Sequence, residues 1–241
     1  MYTNPQFTPG EYDAIYQRAP QEPEGVVDFR EAEHLRFSRL ARMVRQYTKP
    51  GAYLDLGCGA GGFLDVMNTS YGRGFDVGQS GMRKSRNGFE IETGNFFDLQ
   101  DKARFTDGAY SFVTAFDVFE HLPDLPLYLE QLHRMIQVDG HLVVTVPNVD
   151  SMAAKMTGEH WNMILLEHLW YFSPKTLRRI LERHGFAHVA TSTMPYEAPL
   201  SHFFNRLSQT YRLSEITLPK WMASFTISVP IGLMAAVFRR I

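Results

Sequence analysis

The segment Tyr53-Leu54-Asp55-Leu56-Gly57-Cys58-Gly59-Ala60-Gly61-Gly62-Phe63-Leu64 carries an acid just ahead of a loop in which every second residue is glycine. Glycine is needed where backbone must approach a ligand closely or take positive φ. Many such loops cradle a pyrophosphate at a helix N-terminus, with the spacing G-x-G-x-x-G. Here the spacing is Gly57-x-Gly59-x-Gly61, and it reaches the dinucleotide pattern only if Gly62 is counted instead of Gly61. A carboxylate at Asp55 repels a diphosphate but tolerates a zwitterion that carries a cationic amine or sulfonium. About 20 residues further on, Gly74-Phe75-Asp76 places a second acid where α/β nucleotide-binding domains bond ribose hydroxyls. An acid there suits a free ribose and disfavours a 2′-phosphate. Each residue also has a structural alternative: Asp55 as a helix cap, Asp76 as a strand-end turn acid, and Cys58 as a small buried filler with no base beside it.

The surrounding pattern predicts the elements that position these groups. Asp28–Tyr47 reads as an amphipathic helix, with Leu35, Leu40 and Met43 among Arg and Glu, broken by Lys49-Pro50-Gly51. Strands are expected at Ala52–Leu56, Gly72–Asp76, Glu90–Thr93, Tyr110–Phe116, His141–Pro147 and Ala187–Thr193. Helices are expected at Phe63–Asn68, from the loop after Asp76 to about Arg86, at Leu125–Ile136, and at Ser173–His184, which Gly185 closes. Residues 1–25 read as a loose arm, and 150–172 as irregular and aromatic-rich. The uncharged run Trp221–Phe238 reads as an apolar helix broken at Pro230, followed by a last strand, Leu233–Arg239. The expected division is an arm and helix over 1–48 that form part of an acceptor lid, a core over 49–195 with a capping segment at 150–172, and a tail over 196–241.

Composition narrows the function classes. With 241 residues and a formal net charge of −2, the chain has no cluster of Lys and Arg, which argues against a nucleic-acid partner. The single cysteine, Cys58, excludes an intramolecular disulfide and a multi-cysteine metal site and fits a reducing, cytoplasmic setting. The N-terminus has neither a basic n-region nor an apolar h-region.

LDLGCGAGGFL resembles the first motif of the class I S-adenosylmethionine (SAM)-dependent methyltransferases, and GFDVGQS resembles their second. Gly94-Asn95-Phe96-Phe97-Asp98-Leu99 is similar to the segment after their third strand. Asp107-Gly108-Ala109-Tyr110-Ser111-Phe112-Val113 matches their D-x-x-x pattern, and Phe116-Asp117-Val118-Phe119-Glu120-His121-Leu122 their acceptor-side edge. The likeness runs from about residue 30 to 195. It implies a Rossmann-like, doubly wound α/β fold whose seven-stranded sheet is mostly parallel with an antiparallel last strand. It also implies SAM as cofactor: Asp55, Gly57 and Gly59 at its methionine part, Asp76 at its ribose, Asn95 at the adenine amine and Phe96 against the ring. Further contacts are implied at Cys58, Val77, Phe116 and Asp117.

Methyl transfer from SAM is an in-line displacement, so the protein must align the two reactants and remove a proton when the acceptor is a hydroxyl. His121 follows the fourth strand, at the carboxyl edge where open α/β sheets place their sites, and His168 lies in the segment after the fifth. A histidine suits general-base work near neutrality. The alternatives are a helix-start hydrogen-bonding residue at 121 and a satisfied, half-buried histidine at 168. Asp117-x-x-Glu120-His121 offers a divalent-metal set similar to the E-x-x-E-H of the ubiquinone-biosynthesis O-methyltransferases, with Asp117 one methylene shorter. The stretch from Pro147 to Phe186 resembles bacterial methyltransferases of sugars, glycolipids and natural products. Trp161, Trp170 and Tyr171 would stack on such an acceptor or serve as core aromatics. The expected function is O-methylation of a small hydroxyl-bearing molecule, with N- or C-methylation and a non-catalytic SAM-binding subunit as alternatives. Lys220 and Arg239-Arg240 flank the apolar tail as interfacial anchors do, which suggests a peripheral membrane contact through 216–240. The alternative is that the tail completes the sheet.

Overall fold

The computed structural model describes residues 30–77, 81–96, 106–201, 204, 219, 222 and 225–241. Its strands are β1 (Tyr53–Leu56), β2 (Gly72–Val77), β3 (Gly81–Lys84), β4 (Glu90–Gly94), β5 (Tyr110–Phe116), β6 (Ile136–Pro147), β7 (Phe186–Pro199) and β8 (Thr226–Arg240). Its helices are α1 (Arg30–Tyr47), α2 (Gly62–Met67), α3 (Leu125–Met135), α4 (Met152–Thr157) and α5 (Pro174–Arg183). β1 is buried at all positions, as a strand covered on both faces must be. It pairs in parallel with β2 and β5, and these in turn with β4 and β6. The sheet order is β3-β4-β2-β1-β5-β6-β8-β7, with β8 antiparallel to both β6 and β7. The expected α/β architecture is therefore present.

Side chains alternate across this sheet and build a core on each face. Leu54 and Leu56 of β1 join Leu129, Leu132, Leu177 and Leu181 from α3 and α5. Tyr53 joins Leu40, Val44, Phe63 and Leu64 from α1 and α2. Asp55 shares the face of Tyr53, so alternation points a buried carboxylate toward the side that α1 covers.

Several expectations need correction. The sheet has eight strands among the described residues, not seven, because β3 replaces the helix expected up to Arg86 and pairs antiparallel with β4. All four β3 residues are exposed. A helix there would have had only Met82 to bury, whereas an edge strand needs no apolar stripe. Within 150–172, α4 and a 3-10 turn at Gly158–His160 replace irregular chain, and the Ser151 hydroxyl caps α4 by accepting from the Ala154 N–H at 3.1 Å. From Thr226 onward the tail is strand, not helix: Ile227, Val229 and Ile231 alternate with Ser228, Pro230 and Gly232. Pro230 lies where the β7–β8 register shifts, between the pairs Met194↔Leu233 and Tyr196↔Val229.

The membrane-contact expectation loses its basis in this strand. Leu233–Phe238 are buried inside the sheet, Arg239 pairs with Asp139 at 2.5 Å, and Arg240 donates to the carbonyl of Ile136. No described helix is long and apolar enough to cross a membrane. The expected arm over 1–25 and most of 200–225 lie outside the described residues.

β7 and β8 remain paired out to Pro199↔Thr226, whereas β6 leaves β8 at Pro147↔Leu233. A two-stranded ribbon therefore projects past the end of β6 and meets α1, where Arg39 donates to Glu197 Oε1 from Nε and Nη2 at 3.2 and 3.0 Å.

Candidate active site

The turn after β1 is built by three glycines in the left-handed region, Gly57 (φ +69°), Gly59 (+55°) and Gly61 (+84°). The Gly57 and Cys58 N–H groups both donate to the Phe75 carbonyl, at 2.8 and 3.1 Å, which folds the loop over the end of β2. A Cβ on Gly57 would lie 2.4 Å from Val118 Cγ2, while one on Gly59 would meet nothing within 4 Å. The first glycine is thus required by the protein itself, and the second leaves an open approach. Asp55, 2% exposed, accepts a 2.6 Å bond from the Thr114 hydroxyl. Burial raises its pKa from 3.8 to about 7, against the lowering effect of the Thr114 bond. Burial likewise pushes the Cys58 thiol up, so it is no thiolate nucleophile.

Asp76 ends β2 beside this loop. Its Oδ1 accepts from the exposed Val77 N–H at 2.8 Å, and its Oδ2 accepts from Arg83 at 3.1 Å. The same guanidinium nitrogen reaches the Gly59 carbonyl at 2.8 Å, tying β3 to the glycine turn. Burial raises the Asp76 carboxyl above its ordinary range, with Arg83 pulling it back. Asn95 is exposed at the end of β4. Phe96, expected against a ligand ring, is buried instead, stacked on Tyr128 at 5.0 Å and edge-on to Phe75 at 5.7 Å. The rest of that motif, residues 97–99, lies outside the described residues.

A cavity of about 480 Å³ opens between the glycine turn and α1. Asp55, Gly57, Cys58, Gly59 and Phe116 line it from the sheet side, and Arg36 and Phe37 from the helix side. Arg36 reaches across to Asp117 Oδ2, and Asp117 Oδ1 accepts a 2.6 Å bond from Thr145. Asp117 holds φ +55°, a conformation its short polar side chain tolerates. Of the residues expected at the cofactor, Asp55, Gly57, Cys58, Gly59 and Phe116 border this cavity, whereas Asp76, Val77, Asn95, Phe96 and Asp117 do not.

Glu120, His121 and His168 converge past the carboxyl end of β5. His121 and His168 pack edge to face, ring centres 4.7 Å apart. His121 Nδ1 lies 3.1 Å from the Glu167 carbonyl and His168 Nδ1 lies 2.8 Å from the Met163 carbonyl. Burial lowers both imidazoles, His121 to about 4. Glu120 is 1% exposed, and burial together with Asp117 holds its carboxyl well above the usual range. A potential ligand atom from each of Glu120, His121 and His168 lies within 4.8 Å of the others. Asp117, expected in the metal set, does not join them, because its carboxylate is taken by Arg36 and Thr145.

The aromatic residues expected to face an acceptor are fastened into the fold. Trp161 Nε1 donates to the Ile231 carbonyl at 2.8 Å, Trp170 Nε1 to the Leu122 carbonyl at 2.6 Å, and the Tyr171 hydroxyl bonds Leu165 at 3.2 Å. None borders the cavity. Sequence reasoning missed Arg36, Thr114, Thr145 and Arg83. Only Thr114 left a readable signal, as a hydroxyl within the apolar strand Tyr-Ser-Phe-Val-Thr-Ala-Phe.

The profile of a family described as a methyltransferase domain matches residues 29–191, and the chain belongs to that family, whose cofactor is SAM. No curated protein matches the sequence significantly. Among solved structures, it is similar to a SAM-dependent methyltransferase of Thermotoga maritima described as a possible histamine N-methyltransferase. That match has a TM-score of 0.57 and 14% identity, over 95% of this chain and 99% of that one. A SAM-dependent methyltransferase of Archaeoglobus fulgidus matches with a TM-score of 0.58 and 19% identity, over 86% and 94%. The [4+2]-cyclase SpnF shares the fold as well, with a TM-score of 0.52 and 14% identity over 84% and 80%. The fold therefore hosts more than one chemistry, and the acceptor has to be argued from the site.

Proposed function

We propose that this methyltransferase acts on a hydroxyl oxygen of a small molecule, whose proton is drawn off at the neutral imidazoles of His121 and His168. The observation that carries this reading is the pairing of the two rings beside Asp117, just past the carboxyl end of β5. Asp55 faces the cofactor's amine, and Gly57, Cys58 and Gly59 pass along its methionine part. Asp76 and Val77 take the ribose, and Asn95 takes the adenine edge. Phe116 and Asp117 border the methyl group. In the reaction the C–S bond of the sulfonium breaks as the C–O bond forms, and the hydroxyl proton leaves the acceptor. The protein contributes alignment, exclusion of water beneath α1, and a place for that proton. The acceptor is a sugar, quinone, glycolipid or natural-product alcohol or phenol.

Transfer of labelled methyl from SAM to a panel of such acceptors tests this. His121→Ala and His168→Ala are each expected to lower the rate by about 10²–10⁴-fold, the usual worth of a positioned base, with SAM affinity kept within about threefold. Full activity in both variants would instead support an amine or carbon acceptor that needs no base.

A further inference from the structure

We propose that Glu120, His121 and His168 together bind a divalent transition-metal ion on the acceptor side of the site. The inference deepens the reading of this cluster as the place where the acceptor is activated, and its role in transfer rests on that reading; the binding itself does not.

Three observations carry it. The first is convergence: the chain brings a carboxylate and two imidazoles within 4.8 Å of one another from segments 47 positions apart, a 3-10 turn after β5 and the loop before α5. The second is an orphan. Glu120 Oε2 is buried with no hydrogen-bond partner, while the backbone carbonyl of the residue accepts from the N–H groups of Leu169 and Trp170 at 2.7 and 3.2 Å. A buried carboxylate oxygen without a donor is costly unless something positive meets it.

The third is the tautomer. Both Nδ1 atoms face backbone carbonyls, which only accept, so each Nδ1 carries the proton and each Nε2 keeps the lone pair. A ring fixed through Nδ1–H to a carbonyl is the usual support behind a metal-ligating histidine. The donor set also selects the ion. Two imidazoles and one carboxylate suit zinc, cobalt or iron(II), leaving positions open for an acceptor, and suit magnesium or calcium poorly because those ions take oxygen ligands. The set differs from the D-x-x-E-H run in the sequence, since His168 takes the place that Asp117 cannot fill. Bound there through Glu120, His121 and His168, the ion would supply Lewis acidity that eases loss of the acceptor hydroxyl's proton to solvent, the two imidazoles then activating the acceptor as ligands.

The test is a Co²⁺ titration of the chelator-stripped, full-length protein, read by visible d–d absorption. We expect one Co²⁺ per chain, with at least a tenfold loss of affinity in Glu120→Gln and in His168→Ala, and no change in His160→Ala, whose ring is exposed. SAM binding by each variant reports that it is folded. Should the variants fail to fold, Co²⁺-induced shifts of the His121 and His168 ring signals in the unaltered protein give the same answer. No Co²⁺ uptake by protein that binds SAM, or uptake indifferent to Glu120→Gln with His168 ring signals unmoved, would overturn the proposal. Co²⁺ uptake without transfer to any hydroxyl acceptor would sink the proposed function and leave this site standing. Chelator-insensitive O-methylation without uptake would do the reverse.

Discussion

Asp55→Asn is expected to weaken SAM binding by about two orders of magnitude at pH 8 and, at the same pH, to raise the thermal midpoint of the ligand-free protein by about 10 °C. Both effects come from one buried carboxyl. Removing one member of a buried charged pair costs about 2–5 kcal/mol, and about 2.7 kcal/mol is a hundredfold in affinity. In the ligand-free state the same charge is a burden. The carboxyl's pKa is higher in the folded chain, about 7, than its ordinary 3.8. As pH rises from about 4, the unfolded chain therefore releases its proton first, native stability falls up to about pH 7, and it stays level above that. The full difference is of order 4 kcal/mol at about 1.36 kcal/mol per pH unit. Asparagine removes that burden, and a chain of this size gains about 2–4 °C per kcal/mol. Below pH 7 the unaltered protein must also eject a proton to receive the cationic ligand, so its SAM dissociation constant should worsen up to about tenfold per pH unit. That slope should be absent in Asp55→Asn. Calorimetry across pH 5.5–8.5 and thermal melts of both proteins check it. Equal SAM affinity in the two proteins would dismiss the electrostatic account of the glycine turn.

The glycines of that turn are expected to separate folding from binding. Gly57→Ala places a methyl 2.4 Å from Val118 at φ +69°. The left-handed backbone costs about 1–2 kcal/mol and the crowding about 1–3 more. A loss of about 2–5 kcal/mol is a large share of an ordinary domain's 5–15. Adding Val118→Ala should recover the crowding part. Gly59→Ala, at φ +55° with open space before it, should lose only about 1–2 kcal/mol of stability. Its methyl enters the cavity, however, so SAM affinity should fall at least tenfold, about 1.4 kcal/mol. Urea unfolding and SAM titration on the same two variants decide this. A Gly59→Ala protein that binds SAM normally would move the cofactor off this turn.

Where a short stretch of chain determines its own structure, the sequence was informative. β5 begins and ends at Tyr110 and Phe116 as its apolar run predicts, and Gly185, at φ +80°, stops α5. The tail misled because mean apolarity outweighed period: Ile227, Val229 and Ile231 recur every second residue, which is a strand's spacing and not a helix's. β3 misled for the opposite reason, since its four exposed residues hold no pattern and only pairing with β4 defines it. Around the cavity, the glycines of the turn were legible because its left-handed backbone demands them. Arg36 was not, because its partner Asp117 lies 81 positions away and an arginine on an amphipathic helix looks the same whether it faces solvent or a carboxylate. The nearness of His168 to Glu120 and His121 had the same long-range origin.

The place of β8 between β6 and β7 also constrains how this molecule is made. Among the described strands β7 has no other neighbour, and β6 has only β5 on its far side. Until the ribosome has produced residues 226–240, two strands expose unpaired backbone and the apolar residues Val143, Val144 and Met194 lack their cover. The strands β1 to β5 can assemble while synthesis continues, but the sheet closes only once β8 is available. The nascent chain thus carries a sticky, half-built edge from the completion of β6 at Pro147 until β8 is made, and that interval is when chaperones have most to do.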